Sequence, residues 1–149
     1  MQSTSPLCRR VTTRDEMTAC RTIRETVFQQ EQAVDPAIEA DGRDGEAVHY
    51  IAEIDGRAIA TARARVLDDK IKIERVAVTR EARGRRIGEA LMRFMMDDLS
   101  GEARGRPFFL SSQAQAVPFY ERLGFTVCSE EYFEAGIAHR EMRAEAASR

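Results

Sequence analysis

The chain has 149 residues, of which 43% are hydrophobic and 32% are charged, and its formal net charge is −2 at pH 7. These values predict one globular domain over residues 1–149 and exclude a disordered protein, and the charge is unlike that of strongly basic nucleic-acid-binding domains, so no nucleic-acid partner is expected. No apolar run approaches the ~20 residues of a membrane span, and residues 1–10 lack the apolar core of a signal peptide, so no membrane partner is expected either.

The first third of the chain predicts a short strand, a helix and an acidic loop. Residues 7–11 form the strand candidate, and Thr12 or Thr13 can cap a helix that ends near Gln30. Residues 31–46 contain Pro36, two glycines and six acidic residues, which predicts a loop with one helical turn. Such a loop would suit a cationic amine, and a solvated connector explains it equally well.

The remaining pattern predicts a strand meander, a long helix and a terminal hairpin. Alternating residues over 48–54 and 58–66 flank Asp55-Gly56, a two-residue hairpin signal, and a third strand follows over 71–78. A helix that begins near Ile87 is predicted to end at Gly101. Residues 107–110 predict a buried strand, residues 116–123 a short helix, and residues 125–142 a hairpin.

The segment that joins the third meander strand to the long helix carries the strongest chemical signal. Arginines at 80, 83, 85 and 86 crowd it, with glycines at 84 and 88. A helix start offers unpaired N–H groups and partial positive charge, and guanidinium groups match phosphate oxygens. The segment therefore predicts a phosphate or pyrophosphate site, with an arginine-rich, solvated helix start as the alternative.

Three ordered motifs in the second half of the chain resemble the GCN5-related N-acetyltransferase (GNAT) family. They are Arg-Val-Ala-Val at 75–78, Arg-Gly-Arg-Arg-Ile-Gly at 83–88 and Pro-Phe-Tyr-Glu-Arg-Leu-Gly-Phe at 118–125. Residues 27–34, 39–41, His49 and 136–139 resemble one branch of that family, the ElaA and YjcF-like proteins. The resemblance implies a single-domain α/β (α+β) fold, with a central mixed, largely antiparallel sheet of six to seven strands flanked by about four helices.

The resemblance also implies acetyl-CoA as the cosubstrate, and no metal. The residues expected to bind CoA are Val76, Ala77 and Val78 along the pantetheine arm, Arg83, Gly84, Arg85, Arg86, Ile87, Gly88 and Glu89 around the pyrophosphate, and Gln113 and Tyr120. Arg86 stands where the family usually has glycine, and its amide can still donate to the ligand if its φ is negative.

For catalysis, the resemblance implies that Tyr120 is the acid that protonates the departing thiolate. A phenol with a pKa near 10 is protonated at neutral pH, although Tyr120 could instead be a core residue beside two phenylalanines. The base that takes the proton of the amine stays open among Glu31, Glu74, His49 and His139. Each of these four could instead be structural, as a carboxylate paired with arginine or a histidine held in the sheet.

The implied reaction is direct transfer of acetyl from acetyl-CoA to a primary amine of a small molecule or peptide, in a ternary complex. The alternative is a non-catalytic acyl-CoA sensor that acts through a protein partner. Cys8, Cys20 and Cys128 lack metal-site spacing and predict buried thiols in a reducing, cytoplasmic compartment. Exposed edges of an incomplete sheet could pair with a second copy of the chain, so a homodimer is possible.

Overall fold

The computed structural model describes residues 5–39 and 41–146. The strands are β1 Leu7–Arg10, β2 Val48–Ile54, β3 Arg57–Val66, β4 Ile71–Val78, β5 Phe108–Gln113, β6 Thr126–Val127, β7 Tyr132–Glu134 and β8 Ile137–Ala144. The helices are α1 Arg14–Arg24, α2 Pro36–Glu39, α3 Ile87–Ala103 and α4 Val117–Glu121.

All strands join one sheet in the order β1-β2-β3-β4-β5-β8-β6, and β7 pairs with β8. Every pairing is antiparallel except that of β4 with β5. The predicted mixed, largely antiparallel fold is therefore confirmed. The sheet has eight strands rather than six to seven among the described residues, because β6 and β7 are separate short strands that both pair with β8.

Helix α1 begins where the cap residues predict. The side chain of Thr13 accepts a hydrogen bond from the Glu16 amide, and the Glu16 carboxylate accepts one from the Thr13 amide, both at 3.1 Å. After Arg24 the chain continues as a π-helical segment, Glu25–Glu31. Periodicity did not predict this change; the predicted end of the helix near Gln30 nevertheless lies within one residue of the observed end of the π-helical segment at Glu31.

A bulge in β4 decides which of its residues face each side of the sheet. Thr61 pairs with Ala77 and Arg63 with Glu74, so β4 has one more residue than β3 between these pairs. Arg75 carries the bulge with φ of 56°. On either side of it, Ile73 and Val76 both contact the main core.

The main core lies between α3 and the sheet. Leu91, Met95 and Leu99 of α3 are fully buried against residues such as Ile71, and burying each such side chain contributes about 1.5–3 kcal/mol. Helix α3 does not end at Gly101 as predicted. It ends at Ala103, because that residue is still buried in the core and the chain takes left-handed φ values only after it, at residues 104 and 105.

The three cysteines are free, but only Cys20 is buried. Cys8 is half-buried and Cys128 is exposed, so the prediction of three buried thiols is wrong for Cys128. A separate finding concerns the helices: within residues 5–39 and 41–146, none is long and apolar enough to cross a membrane.

Candidate active site

Strands β4 and β5 separate and leave an open cleft between them. Their parallel pairing runs only from Ile71 and Phe108 to Ile73 and Leu110. Beyond this point a cleft of about 870 Å³ is lined by β4, by the end of β5 and by Tyr120. Val76, Ala77, Val78 and Gln113 are among its lining residues. The backbone of β4 therefore offers a strand edge to a ligand in the cleft.

The chain that follows β4 forms the loop in which the sequence predicts an anion site. It passes through a 3-10 turn, Arg80–Ala82, and reaches α3 at Arg86, whose side chain makes no capping hydrogen bond. The first intrahelical bond here joins the Ala90 amide to the Arg86 carbonyl at 3.1 Å. The N–H groups at 87–89 therefore have no intrahelical acceptor, as expected at a helix start.

Arg86 has φ of 60°, the left-handed conformation that glycine adopts most easily. The condition that its φ be negative is therefore not met. Gly84, which also has a positive φ of 80°, precedes it in the same loop. Arg86 differs from the usual glycine by its exposed side chain. Its backbone conformation is the one that glycine would take.

The loop residues differ in whether they line the cleft. Arg83 lines it, whereas Gly84, Arg85, Arg86, Ile87, Gly88 and Glu89 lie outside its lining. Ile87 is a buried core residue. A Cβ built on Gly88 would lie 3.3 Å from Cζ of Phe119 and 3.4 Å from Cγ2 of Val78, so this glycine allows close packing of α3 on β4. Ile87 and Gly88 could therefore contact a ligand only through their backbone.

Two contacts join the end of the π-helical segment to both walls of the cleft. The Arg83 guanidinium donates to Glu31 and, through Nε, to the Val78 carbonyl at 3.1 Å. On the other wall, Nε2 of Gln113 donates to Oε1 of Gln32 at 2.8 Å. Residues 31 and 32 therefore bridge the opening between β4 and β5, and the Glu31 carboxylate is already paired.

Tyr120 lies at the inner wall of the cleft and is 9% exposed. Its ring makes edge-to-face contacts with Phe119 and Phe125, with centroid distances of 4.9 and 5.9 Å. Burial raises the pKa of the Tyr120 phenol, which keeps it protonated at neutral pH. Tyr120 is thus an aromatic core residue that also lines the cleft.

Glu74 lines the cleft but is held by cations. It accepts from Arg65 at 2.7 Å and from Arg63 at 3.0 Å, and Lys72 Nζ lies 3.7 Å away. Burial alone would raise the pKa of Glu74, but the hydrogen bond from Arg65 and the charges of Arg63, Arg65 and Lys72 lower it. A carboxylate stabilised in this way is a weak proton acceptor.

Arg63 is fully buried and binds three carboxylates, two of which belong to the acidic loop. Its guanidinium lies 2.8 Å from Asp41 and 3.0 Å from both Asp44 and Glu74. Burial would raise the pKa of Asp44, but hydrogen bonds from Arg63 and Arg24 lower it to about 2. Asp41 and Asp44 thus face arginines, and the expected acidic surface for a cationic amine is not formed by them.

His49 does not line the cleft. Its Nε2 lies 3.0 Å from the Asp44 carbonyl oxygen, and its backbone pairs with Arg63 across β2 and β3. Burial lowers the pKa of His49, so the ring is neutral near pH 7. These contacts favour the structural interpretation of this residue.

His139 lines the cleft on the wall opposite β4. Its Nδ1 lies 2.7 Å from the carbonyl oxygen of Ile137, which can only accept, so Nδ1 carries the proton. The ring stacks on Tyr132 with a centroid distance of 6.1 Å, and Nε2 lies 3.7 Å from Oε2 of Glu134. The Tyr132 hydroxyl in turn hydrogen-bonds Ser111.

Sequence reasoning missed three of these residues, Ser111, Tyr132 and Glu134, because no local pattern links them to His139. They come from β5 and β7 and meet His139 only where β8 pairs with both strands. The only sequence signal nearby was the turn at Ala135-Gly136, where both φ values are positive. That turn places β7 beside β8.

Comparison with known proteins agrees with this geometry. A profile of the Acetyltransferase (GNAT) domain matches residues 11–146. YjcF of Bacillus subtilis (strain 168), named an uncharacterized N-acetyltransferase, is 33% identical over 121 residues, 80% of this chain and 86% of that protein. The crystal structure of Escherichia coli ElaA matches with a TM-score of 0.84 and 28% identity over 94% of this chain and 99% of that chain.

A second crystal structure, of an acyl-CoA N-acyltransferase from Pseudomonas aeruginosa, also has a TM-score of 0.84, with 31% identity over 94% of this chain and 99% of that chain. ElaA of Escherichia coli (strain K12) is 32% identical in sequence over 122 residues, 78% of this chain and 79% of that protein. The profile, the relatives and the shared fold lead to one conclusion: the chain belongs to the GNAT family of acetyltransferases and is similar to YjcF and ElaA.

Proposed function

We propose that this protein transfers an acetyl group from acetyl-CoA to a primary amine of a small molecule or peptide, directly within a ternary complex in the cytoplasm. The observation that carries the proposal is the open edge of β4, which ends at the anion loop and shares one cleft with Tyr120. A long thioester ligand needs both features, an edge for its amide-containing arm and an anion site for its phosphates.

The donor would lie along β4. Its pantetheine amides would pair with the backbone of Val76, Ala77 and Val78, and Gln113 would face the arm from β5. The pyrophosphate would bind the N–H groups from Arg83 to Glu89, where the helix dipole and arginine charges favour an anion. The Arg86 amide is included despite its positive φ, because that φ of 60° is one that glycine adopts easily at such a position. A backbone N–H near Val78 would polarise the thioester carbonyl.

Of the four candidate bases, His139 fits the role of proton acceptor best. Its Nδ1 is engaged by the Ile137 carbonyl, so Nε2 is the nitrogen that would meet the amine. Glu134, at 3.7 Å from Nε2, would stabilise the imidazolium once formed. Glu74 and Glu31 are instead paired with cations, and His49 lies outside the cleft.

Acetyl transfer would then proceed by attack of the amine and departure of the sulfur. The amine nitrogen forms a bond to the thioester carbonyl carbon and loses a proton to Nε2 of His139. The carbon–sulfur bond breaks with its electron pair on sulfur, and the Tyr120 hydroxyl donates a hydrogen bond to that sulfur. Because burial raises the pKa of Tyr120, the phenol serves as a hydrogen-bond donor throughout and keeps its own proton. CoA then leaves as the thiolate, which takes up a proton from water, while the His139 imidazolium releases the proton it took from the amine.

The test is incubation with acetyl-CoA and a panel of primary amines, with detection of free CoA thiol and of the acetylated amine. We expect amine-dependent thiol release. Binding of CoA without acetyl transfer to any amine would contradict the proposal and favour the alternative, a sensor of acyl-CoA. Absence of CoA binding would contradict both.

A further inference from the structure

Cationic side chains outnumber carboxylates among the described residues that line the cleft. The cations are Arg43, Arg65, Lys72, Arg75, Arg80 and Arg83, and four carboxylates face them. Arg80 and Arg83 belong to the anion loop and are accounted for by the phosphates of the donor. The other four lie at the opposite end, where the proposed donor has no phosphate.

The anion loop and Lys72 lie far apart along β4. Lys72 comes six residues before Val78 in the same strand, which corresponds to about 20 Å at ~3.3 Å per residue. A pyrophosphate at the start of α3 therefore lies out of reach of Lys72. Arg43, Arg65 and Arg75 at this end pair with Glu46, Glu74 and Asp41, whereas Lys72 approaches Glu74 only to 3.7 Å. Lys72 is therefore the cation at this end that could serve the other ligand of the reaction, the acceptor.

The carboxylates at this end are compensated from behind the cleft wall. Asp41 and Glu74 both bind the fully buried Arg63, which does not line the cleft. Arg65 makes its closest contact with Glu74, at 2.7 Å. Lys72 lies 3.7 Å from Glu74 Oε2, beyond hydrogen-bond distance, and its side chain is 32% exposed. The Lys72 ammonium is thus the cation best placed to bind an anion in the cleft.

The strand register gives the spacing between this cation and the proposed base. Lys72 pairs with Phe109 and His139 pairs with Gln113, positions four residues apart along β5. That separation is about 13 Å along the sheet, and the reach of the two side chains shortens it. An acceptor that contacts both must hold its amine and its anionic group several bonds apart.

We infer that the acceptor is a primary amine with a carboxylate at the far end of an extended chain, the carboxylate bound by Lys72 and Arg65 and the amine delivered to His139. This inference rests on the proposed function, because it takes the amine to be an acetyl acceptor. The excess of positive charge beside Glu74 is small, which favours a singly charged carboxylate over a phosphate. An α-amino acid is too short to span both contacts.

The test compares matched probes by calorimetric binding to the protein–CoA complex: ε-aminocaproate, hexylamine, glycine and the corresponding ω-aminoalkyl phosphate. We expect ε-aminocaproate to bind about tenfold more tightly than hexylamine, the effect of one charge-assisted contact. Lys72→Met should bring that ratio close to one. Lys70→Met is the matched control, since Lys70 lies over the Phe109 ring at 4.5 Å and outside the cleft lining, and it should preserve the ratio.

Equal binding of ε-aminocaproate and hexylamine, tighter binding of glycine or the phosphate, no binding of any probe, or an unchanged ratio in Lys72→Met would each overturn the inference. A separate readout, acetyl transfer to ε-aminocaproate from acetyl-CoA, tests the proposed function. Selective, Lys72-dependent binding without transfer would uphold the anion site and reject the enzymatic role. Acetyl transfer without selective binding would uphold the enzymatic role and reject the anion site.

Discussion

The Nε2 atom of His139 lies 3.7 Å from Oε2 of Glu134, while Nδ1 of the same ring lies 2.7 Å from the Ile137 carbonyl oxygen. The carbonyl sets the tautomer, and the carboxylate stands beside the nitrogen that would take a proton. Because the ring also lines the cleft, one short hairpin holds the proposed base together with the groups that would orient it and balance its charge.

His139→Gln is expected to lower kcat by about 100-fold, the usual effect of losing a positioned base. Steady-state kinetics with acetyl-CoA and an accepted amine provide the measurement. His49→Gln is the control, because His49 lies outside the cleft; equal losses in both variants would remove His139 from the role.

Tyr120→Phe is expected to lower kcat by about 10- to 100-fold while the Kd for CoA changes less than about twofold. The phenyl ring keeps the contacts with Phe119 and Phe125, so folding should be preserved. Kinetics and calorimetry on the same preparation separate the two effects. Unchanged turnover would show that the hydroxyl has no part in acyl transfer.

Arg63→Met is expected to destabilise the protein by about 3–5 kcal/mol, because it removes the fully buried guanidinium that Asp41, Asp44 and Glu74 share. Arg14→Met changes an exposed arginine and should stay within about 0.5 kcal/mol. Urea unfolding followed by circular dichroism gives both values. A similar, small effect of the two substitutions would mean that the other arginines, Arg24, Arg65 and Arg75, suffice for these carboxylates.

The ion pairs that Arg63 makes with Asp41, Asp44 and Glu74 also predict a pH dependence of stability. The pKa of Asp44 falls on folding, to about 2 from an ordinary value of 3.8. Its contribution is therefore present above pH 3.8 and is lost as pH falls towards about 2. Unfolding free energies measured across this range should decline in the unaltered protein and decline less in Arg63→Met; parallel curves would contradict the assignment.

Gly88→Ala and Gly101→Ala should have opposite effects, although both lie in α3. A Cβ at Gly88 meets Phe119 and Val78, and such overpacking costs about 1–3 kcal/mol and should weaken CoA binding. A Cβ at Gly101 has nothing within 4 Å, so alanine should stabilise the helix by about 0.5–1 kcal/mol. Thermal unfolding with and without CoA tests both; destabilisation by Gly101→Ala would place the helix end at Gly101 after all.

Much of the fold was predictable because its signals are local. The bounds of β2 and β4, the Thr13 cap and the Asp55-Gly56 turn each depend on residues within one element or one turn. The β4 bulge at Arg75 was not predictable, since it arises from pairing with β3. The extension of α3 past Gly101 was missed for the same reason, because burial of Ala103 outweighs a local stop signal.

The sequence by itself determined the family and predicted where the donor would bind, because the loop that follows β4 is one continuous segment whose motif carries its own chemistry. Only the tertiary structure distinguished among the residues proposed for the acceptor side. Asp41 and Asp44 meet Arg63 across about twenty residues of chain, which turns an apparently acidic loop into part of a charge-compensated wall. His139 becomes distinct from His49 only when strand pairing brings Tyr132 and Glu134 to it, since such contacts depend on sheet order and leave no periodic trace in the sequence.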